Sequence, residues 1–207
     1  MLKRLFDLVF AIFWLTVTAP LILVIAVLIG LDSPGPALYV PQMVGRDCRL
    51  FRLFRFRTMR VGSPAHLSAN ERLTCVGRFI RNYSLDHLPT LFNVLKGDLS
   101  IVGPRPMEPQ VVGLQDPAWQ AYFRVKPGFF NYAVLKLGST FGPSSAENLA
   151  LKRELELEYI QKQSLMFDLQ LLFTFIRAHI ASGGNVKARG KPDPKVADRQ
   201  SRLGGLE

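Results

Sequence analysis

Residues 70–106 read NERLTCVGRFIRNYSLDHLPTLFNVLKGDLSIVGPRP, and the order of signals along them decides the fold. Pro89 is tolerated in the first turn of a helix, where its missing N–H would have had no partner. A helix is therefore expected to begin within a few residues of Asp86, which puts that carboxylate near the positive end of the helix dipole. A carboxylate held there is expected to stay ionised. From Asn93 onward the text predicts a helix end, a turn at Gly97, a short strand at Ser100–Val102 and a rigid Pro-Arg-Pro corner at 104–106. Helix, turn and strand within so few residues predict a small α/β unit, mostly helical.

Upstream, residues 8–31 carry no charge and are bracketed by Asp7 and Asp32. A straight helix over this run reaches roughly 36 Å, enough to cross a hydrocarbon core of about 30 Å. Pro20 falls in its middle, where it removes a backbone hydrogen bond and predicts a kink. Basic residues flank the run on both sides, Lys3 and Arg4 before it, Arg46 and Arg49 after it, so the positive-inside tendency assigns no orientation. A spanning helix and a re-entrant one that bends at Pro20 both remain open from these residues. The run is too long for a signal peptide and does not end in a small-residue cleavage site.

Lys and Arg number 26 against 16 Asp and Glu, a net charge of +10 that asks for a phosphate-bearing partner. Apolar residues make up 48% of the chain, which favours a membrane surface over a purely soluble nucleic-acid binder. Cys48 and Cys75 form neither a disulfide framework nor a metal-ligand cluster. In RLFRLFRFRTM, residues 49–59, arginines interleave with Phe51, Phe54 and Phe56. Such mixing stacks nucleic-acid bases or lies along a headgroup layer, and its place just after a membrane segment favours the headgroups. Residues 61–70 read as a loop. From about Ala146 to Ile180 the pattern is helical, and its second half is apolar nearly all round. Asp168, Gln170, Arg177 and His179 make that half a poor spanning helix, so an interfacial or buried one is expected. The tail, 182–207, is rich in Gly, Lys, Arg and Asp and reads as disordered.

With these motifs in view, the chain resembles the monotopic phosphoglycosyl transferases, the bacterial sugar transferases that start polysaccharide and glycoconjugate assembly. The matches besides residues 70–106 are KRLFD at 3–7, the proline-broken apolar run, GP at 35–36, FRFRTM at 54–59, VKPG at 125–128 and SLMFDL at 164–169. In the family's order they cover roughly residues 3–180. The resemblance implies a membrane re-entrant helix at 1–32 bent at Pro20, interfacial amphipathic helices, and a compact cytoplasmic catalytic domain at 33–181 on the inner membrane. It implies transfer of sugar-1-phosphate from a UDP-sugar to polyprenol phosphate, with a phosphosugar carried on an aspartate and with Mg²⁺ assisting. By position the nucleophile and metal ligand is Asp86, and the phosphate-binding arginines are Arg81 and Arg105. The partners implied are the bilayer, polyprenol phosphate and a UDP-sugar, and no nucleic acid; a homodimer is compatible with exposed apolar faces.

The chain also departs from the family pattern. SLDELPQ is SLDHLPT here, so His87 replaces the glutamate of the catalytic pair and Thr90 a glutamine. Histidine can act as a base near neutral pH, its unperturbed pKa being about 6.5, but it brings no negative charge to a metal. VKPG is followed by FFNYA at 129–133 in place of a small Thr-Gly pair, and Arg55 stands where lysine is common. Two readings follow: an active transferase with His87 as the altered second member, or a catalytically altered relative that binds lipid phosphate or a partner enzyme. A membrane-tethered nucleic-acid binder is a third. The bland alternative makes Asp86 an N-cap and the arginines snorkelling cations.

Overall fold

The computed structural model describes residues 1–64, 66–113, 117–137 and 146–181. The tail expected to be disordered lies outside them. The first helix, α1, runs from Leu2 to Asp32 and stays helical through Pro20. Its 31 residues correspond to about 46 Å of straight helix. Asp7, Ala11, Leu15, Ile25 and Ile29 are buried, with Thr18 and Ile22 half-buried between them, so one stripe faces the rest of the molecule. Phe13, Val17, Leu21, Leu23, Val24 and Val27 are exposed, the mark of a helix whose outer face needs a solvent other than water.

Both ends of α1 are bonded to one domain. At the start, Arg4 donates to the carbonyls of Val94 (2.6 Å) and Leu95 (2.8 Å), and the Asp7 carboxylate accepts from Ser100 Oγ (3.0 Å) and the Ile101 N–H (2.9 Å). At the finish, Asp32 accepts from the Val76 N–H (2.9 Å), and Arg57 donates to the carbonyls of Ser33 (2.6 Å) and Pro34 (2.7 Å). Arg57 thereby satisfies carbonyls that the end of a helix leaves orphaned.

The Arg-Phe stretch, expected to lie along a headgroup layer, is extended. It forms β3 (Leu50–Arg52) and β4 (Arg55–Phe56), following β1 (Leu38–Tyr39) and β2 (Gln42–Val44). Antiparallel pairs β1–β4 and β2–β3 result. Strand geometry sends successive side chains to opposite faces. Leu53 and Phe56 are buried, Phe51 packs against the main core, and Arg57 is itself buried. Tertiary packing, which composition does not reveal, turns part of the stretch inward and leaves Phe54 half-buried.

After a capped turn, α2 (Ala69–Arg72), comes α3 (Cys75–Asn82), whose Thr74 cap accepts from the Gly77 N–H (2.9 Å). A 3₁₀ helix, Leu85–Thr90, leads into α4 (Leu91–Lys96), which ends at Gly97 with φ +95°. Only glycine adopts that conformation without strain. β5 (Ser100–Val102) follows as expected and pairs in parallel with β6 (Gly128–Phe130), α5 (Pro117–Tyr122) lying in the crossover between them. A Cβ on Gly128 would sit 2.0 Å from the Gly103 nitrogen, so VKPG is fixed by backbone contact. The chain closes with α6 (Tyr132–Leu137), α7 (Ala146–Lys162) and α8 (Leu165–Ala181). On α8, Asp168, Leu171, Leu172 and Phe175 are buried while Met166, Phe173, Ile176 and Ile180 are exposed. The nearly all-apolar pattern thus divides into a core face and an outer apolar face. The molecule is mostly helical around a small sheet-containing domain, with an N-terminal helix long and apolar enough to cross a membrane.

Candidate active site

Asp86 is the second residue of the 3₁₀ helix, and α4 starts only at Leu91. This corrects the expected placement in part. A helical turn does begin beside Asp86, but it is a 3₁₀ turn with Pro89 as its fifth residue, not the first turn of an α-helix. Ser84, at φ +57°, sets the turn's entry, and the His87 N–H returns to the Ser84 carbonyl (3.3 Å). The tight entry tips the Asp86 carboxylate into a cavity of about 310 Å³.

The same cavity is lined by Arg55, Arg81, Arg105, His87, Asn131 and the rings of Phe129, Phe130 and Phe175. Arg81 comes from the last turn of α3, Arg105 from the corner after β5, and Arg55 from β4. The four polar residues expected from the motif, Asp86, His87, Arg81 and Arg105, therefore share one cavity. Pro20 is elsewhere, exposed in the middle of α1. The imidazole Nε2 lies 3.6 Å from Asp86 Oδ2, and the His87 ring meets Phe129 edge-on at 6.2 Å.

Burial is the dominant influence on the Asp86 carboxyl and pushes its pKa up to about 6. Arg55 and Arg81, with a hydrogen bond from its own N–H, oppose the rise. The group is thus ionised at neutral pH, though less firmly than a helix terminus would hold it. Arg55 is lowered to about 10, first by burial and then by Arg105. A buried guanidinium lowered in part by a second one marks a site with surplus positive charge, suited to an anion of more than one charge.

Two residues of this region escaped the sequence reading. Arg55 was noted as a change from lysine, but its place among alternating phenylalanines pointed to lipid. The signal available was that alternation: with Phe54 and Phe56 on one side of an extended segment, Arg55 must face the other. Glu156 of α7 is the second. It is 1% exposed, accepts from the Ala133 N–H (3.2 Å), and is faced by the N–H groups of Arg105 and Tyr132. Burial raises its pKa to about 8. With Tyr122 Oη donating to the Arg105 carbonyl (2.7 Å), it braces the corner that carries Arg105. Among the described residues no group of three or more His, Cys, Asp or Glu is arranged to hold a metal ion.

The chain is similar to several known sugar phosphotransferases. The undecaprenyl-phosphate glucose phosphotransferase of Komagataeibacter xylinus is 37% identical over 192 residues, 87% of this chain and 36% of the relative. The UDP-N-acetylgalactosamine-undecaprenyl-phosphate N-acetylgalactosaminephosphotransferase of Aeromonas hydrophila is 35% identical over 191 residues, 88% of this chain and 44% of the relative. An uncharacterized sugar transferase of Bacillus subtilis (strain 168), EpsL, is 37% identical over 186 residues, 88% of this chain and 89% of the relative. The chain spans less than half the length of the first two. The family model described as bacterial sugar transferase matches residues 1–182. Matched from its first residue through the last described helix, the chain belongs to the bacterial sugar transferase family.

Proposed function

We propose that the protein moves sugar-1-phosphate from a UDP-sugar to polyprenol phosphate, with Asp86 as the covalent nucleophile. The observation that carries this reading is the Asp86 carboxylate sharing a small cavity with Arg55, Arg81 and Arg105. Two anions approach each other only where cations neutralise the phosphates, and three guanidinium groups on one cavity supply that. A carboxylate oxygen attacks the β-phosphorus of the donor, the bond from that phosphorus to the bridging oxygen breaks, and UMP leaves. An oxygen of the polyprenol phosphate then attacks the aspartyl phosphate, releasing the sugar as a lipid-linked diphosphate and freeing Asp86. Mg²⁺ fits the donor set, since this ion takes one or two protein carboxylates and completes its shell with substrate phosphate and water. Asp86 would hold it, and its contribution would be neutralisation of phosphate charge. The His87 imidazole, 3.6 Å from Asp86 Oδ2, is placed to form an ion pair with it when protonated.

The membrane part of the proposal is a re-entrant α1 that enters and leaves on the cytoplasmic face of the inner membrane. Its support is that Arg4 and Asp7 at one end and Asp32 at the other bond to the same domain, with Thr16, Val17, Ala19 and Pro20 exposed between. A helix with its two ends on opposite sides of a bilayer would need part of that domain to follow it across. The outer face of α8 gives a second apolar surface for the same interface.

The test is release of UMP by the purified chain with Mg²⁺, polyprenol phosphate and a panel of UDP-sugars. Asp86→Asn should lower turnover by about 10⁴-fold or more while leaving the fold intact. The rate should also fall about tenfold per pH unit below pH 6, because protonation of the raised Asp86 carboxyl removes the nucleophile. Absence of turnover with any donor favours the second reading, a binding relative, whose motivation is the imidazole beside Asp86 where the family resemblance implies a glutamate.

A further inference from the structure

The cavity that holds Asp86 has two unlike walls. One carries Arg55, Arg81 and Arg105; the other is built from residues 128–134 together with Phe175. Along 128–134 the side chains that line it are Phe129, Phe130, Asn131 and Val134. Phe129 meets Phe130 edge-on at 4.9 Å, and Phe130 lies 5.1 Å from Phe175, so three phenyl rings form a continuous surface. Its near end is close to the nucleophile. Phe129 meets the His87 ring at 6.2 Å, and His87 Nε2 is 3.6 Å from Asp86 Oδ2.

Asn131 is the polar side chain set into this surface, and its orientation is fixed. Nδ2 donates to the carbonyls of Gly103 (3.1 Å) and Gly128 (2.9 Å). Those two glycines press together too closely to admit a Cβ, which holds the amide in place. With both N–H groups spent, what Asn131 can offer the cavity is its carbonyl oxygen, an acceptor. The wall therefore asks for a ligand group that combines an N–H or O–H donor with apolar surface. Neither feature serves a phosphate.

Which part of the donor meets this wall follows from connectivity. At about 310 Å³ the cavity is at the small end for ligand pockets, which span about 300–1,000 Å³. It takes the reacting end of a nucleotide sugar and not the whole molecule. The sugar is joined through one oxygen to the phosphorus that Asp86 attacks, whereas uracil is separated from it by a second phosphate and a ribose. Of the sugar's substituents, the one on C2 is nearest that phosphorus.

We infer that the phenyl rings and Asn131 select a donor whose sugar carries an acetamido group at C2 over one carrying hydroxyls alone. The inference rests on the transferase reading and adds the class of donor. An acetamido group brings an N–H for the Asn131 oxygen and a flat amide with a methyl for the phenyl faces. A C2 hydroxyl also donates, but it leaves the rings uncovered, and affinity grows with the apolar area removed from water. An ammonium at C2 has N–H groups without a methyl, and it adds to the surplus positive charge of the opposite wall.

The experiment titrates the full Asp86→Asn chain in nanodiscs, where donors bind without turning over. The ligands are UDP, UDP-glucose, UDP-glucosamine, UDP-N-acetylglucosamine and UDP-N-acetylgalactosamine. At least one acetamido donor should bind about tenfold tighter than UDP-glucose and UDP-glucosamine, the discrimination that one or two methyl-sized groups give in an apolar pocket. Phe130→Ala in the same chain should bring that ratio to about twofold, with UDP affinity changed by no more than about twofold. Phe129→Ala is the companion variant and should lower the ratio in the same direction. UDP binding reports that each variant is folded; if neither binds UDP, the ratio in the Asp86→Asn chain decides alone. Binding of UDP-glucose as tight as that of both acetamido donors overturns the inference, and so does a ratio that survives in both folded variants. A preference for acetamido donors, with no UMP released by the wild type, removes the transferase reading alone. UMP release without that preference removes this inference alone, and absence of binding by every donor removes both.

Discussion

Two buried carboxylates, Asp86 in the cavity and Asp168 at the start of α8, show what separates a site from scaffold in this molecule. Asp168 is 1% exposed and fully engaged: Tyr159 Oη donates to one oxygen (2.6 Å) and Lys3 to the other. Tyr159 and Lys3 also reach the Val102 carbonyl, so the group ties α1, α7, α8 and β5 together. Asp86 sits among guanidinium groups that line an open cavity. At Asp168 each charge is matched by a neighbour; in the cavity positive charge is left over. The surplus identifies where an anionic ligand is expected, and a buried charge alone does not.

Removing one of the surplus cations should have the largest effect that breaks this contrast. Arg55→Ala should lower kcat/KM by about 10²- to 10³-fold, as loss of one preorganised cation or donor does in other sites of charge stabilisation. Arg55→Lys should recover part of that loss, because a point charge replaces a planar fork. Thermal stability should hold or rise, since Arg55 is largely buried and is depressed by Arg105. A fall in stability without a fall in kcat/KM would return Arg55 to the scaffold.

The matched site should respond in the opposite sense. Asp168→Asn leaves Lys3 without its carboxylate and keeps an acceptor for Tyr159. The cost should be about 2 kcal/mol, below the usual range for a broken buried pair because Lys3 is 30% exposed and can turn to water. Thermal unfolding in detergent should show it as a lowered midpoint, with UMP release per folded molecule nearly unchanged. If turnover collapses while the midpoint stays, the division between the two regions is wrong.

How much of this was legible in the sequence follows the same division. Asp86, Arg81 and Arg105 were readable because motif order places them, and the apolar run of α1 because composition alone marks it. The strand at Ser100–Val102 and the turn at Gly97 came through on local chemistry. For Arg55 the alternation separates its face from that of Phe54 and Phe56, but which face meets the cavity is not legible until the strand's partners are known. Glu156 was hidden for a related reason. It stands among Glu154 and Glu158 on one helix, and only the packing of Leu151, Leu155 and Tyr159 into the core carries Glu156 inward with them. Asp7 read as the polar border of a membrane run, yet its two hydrogen bonds to β5 make it part of the platform beneath Arg105.

Glu156 gives the smallest effect and the sharpest sign. Its carboxyl is raised to about 8 in the folded chain, above the ordinary 4.5 that applies once unfolded. Between those values the unfolded chain releases a proton that the folded chain retains, so stability falls as pH rises through that window. Glu156→Gln removes the titration and keeps an oxygen for the Ala133 N–H. The wild type should lose thermal midpoint between pH 5 and pH 8 relative to the variant, and the two curves should meet near pH 5, where both side chains are neutral in the fold. Activity should change little, because the glutamine keeps an acceptor for the N–H groups through which Glu156 braces the Arg105 corner. A parallel pair of stability curves would mean that Glu156 stays ionised in the folded chain, with Oε2, which lacks a hydrogen-bond partner, carrying charge against the backbone of the Arg105 corner.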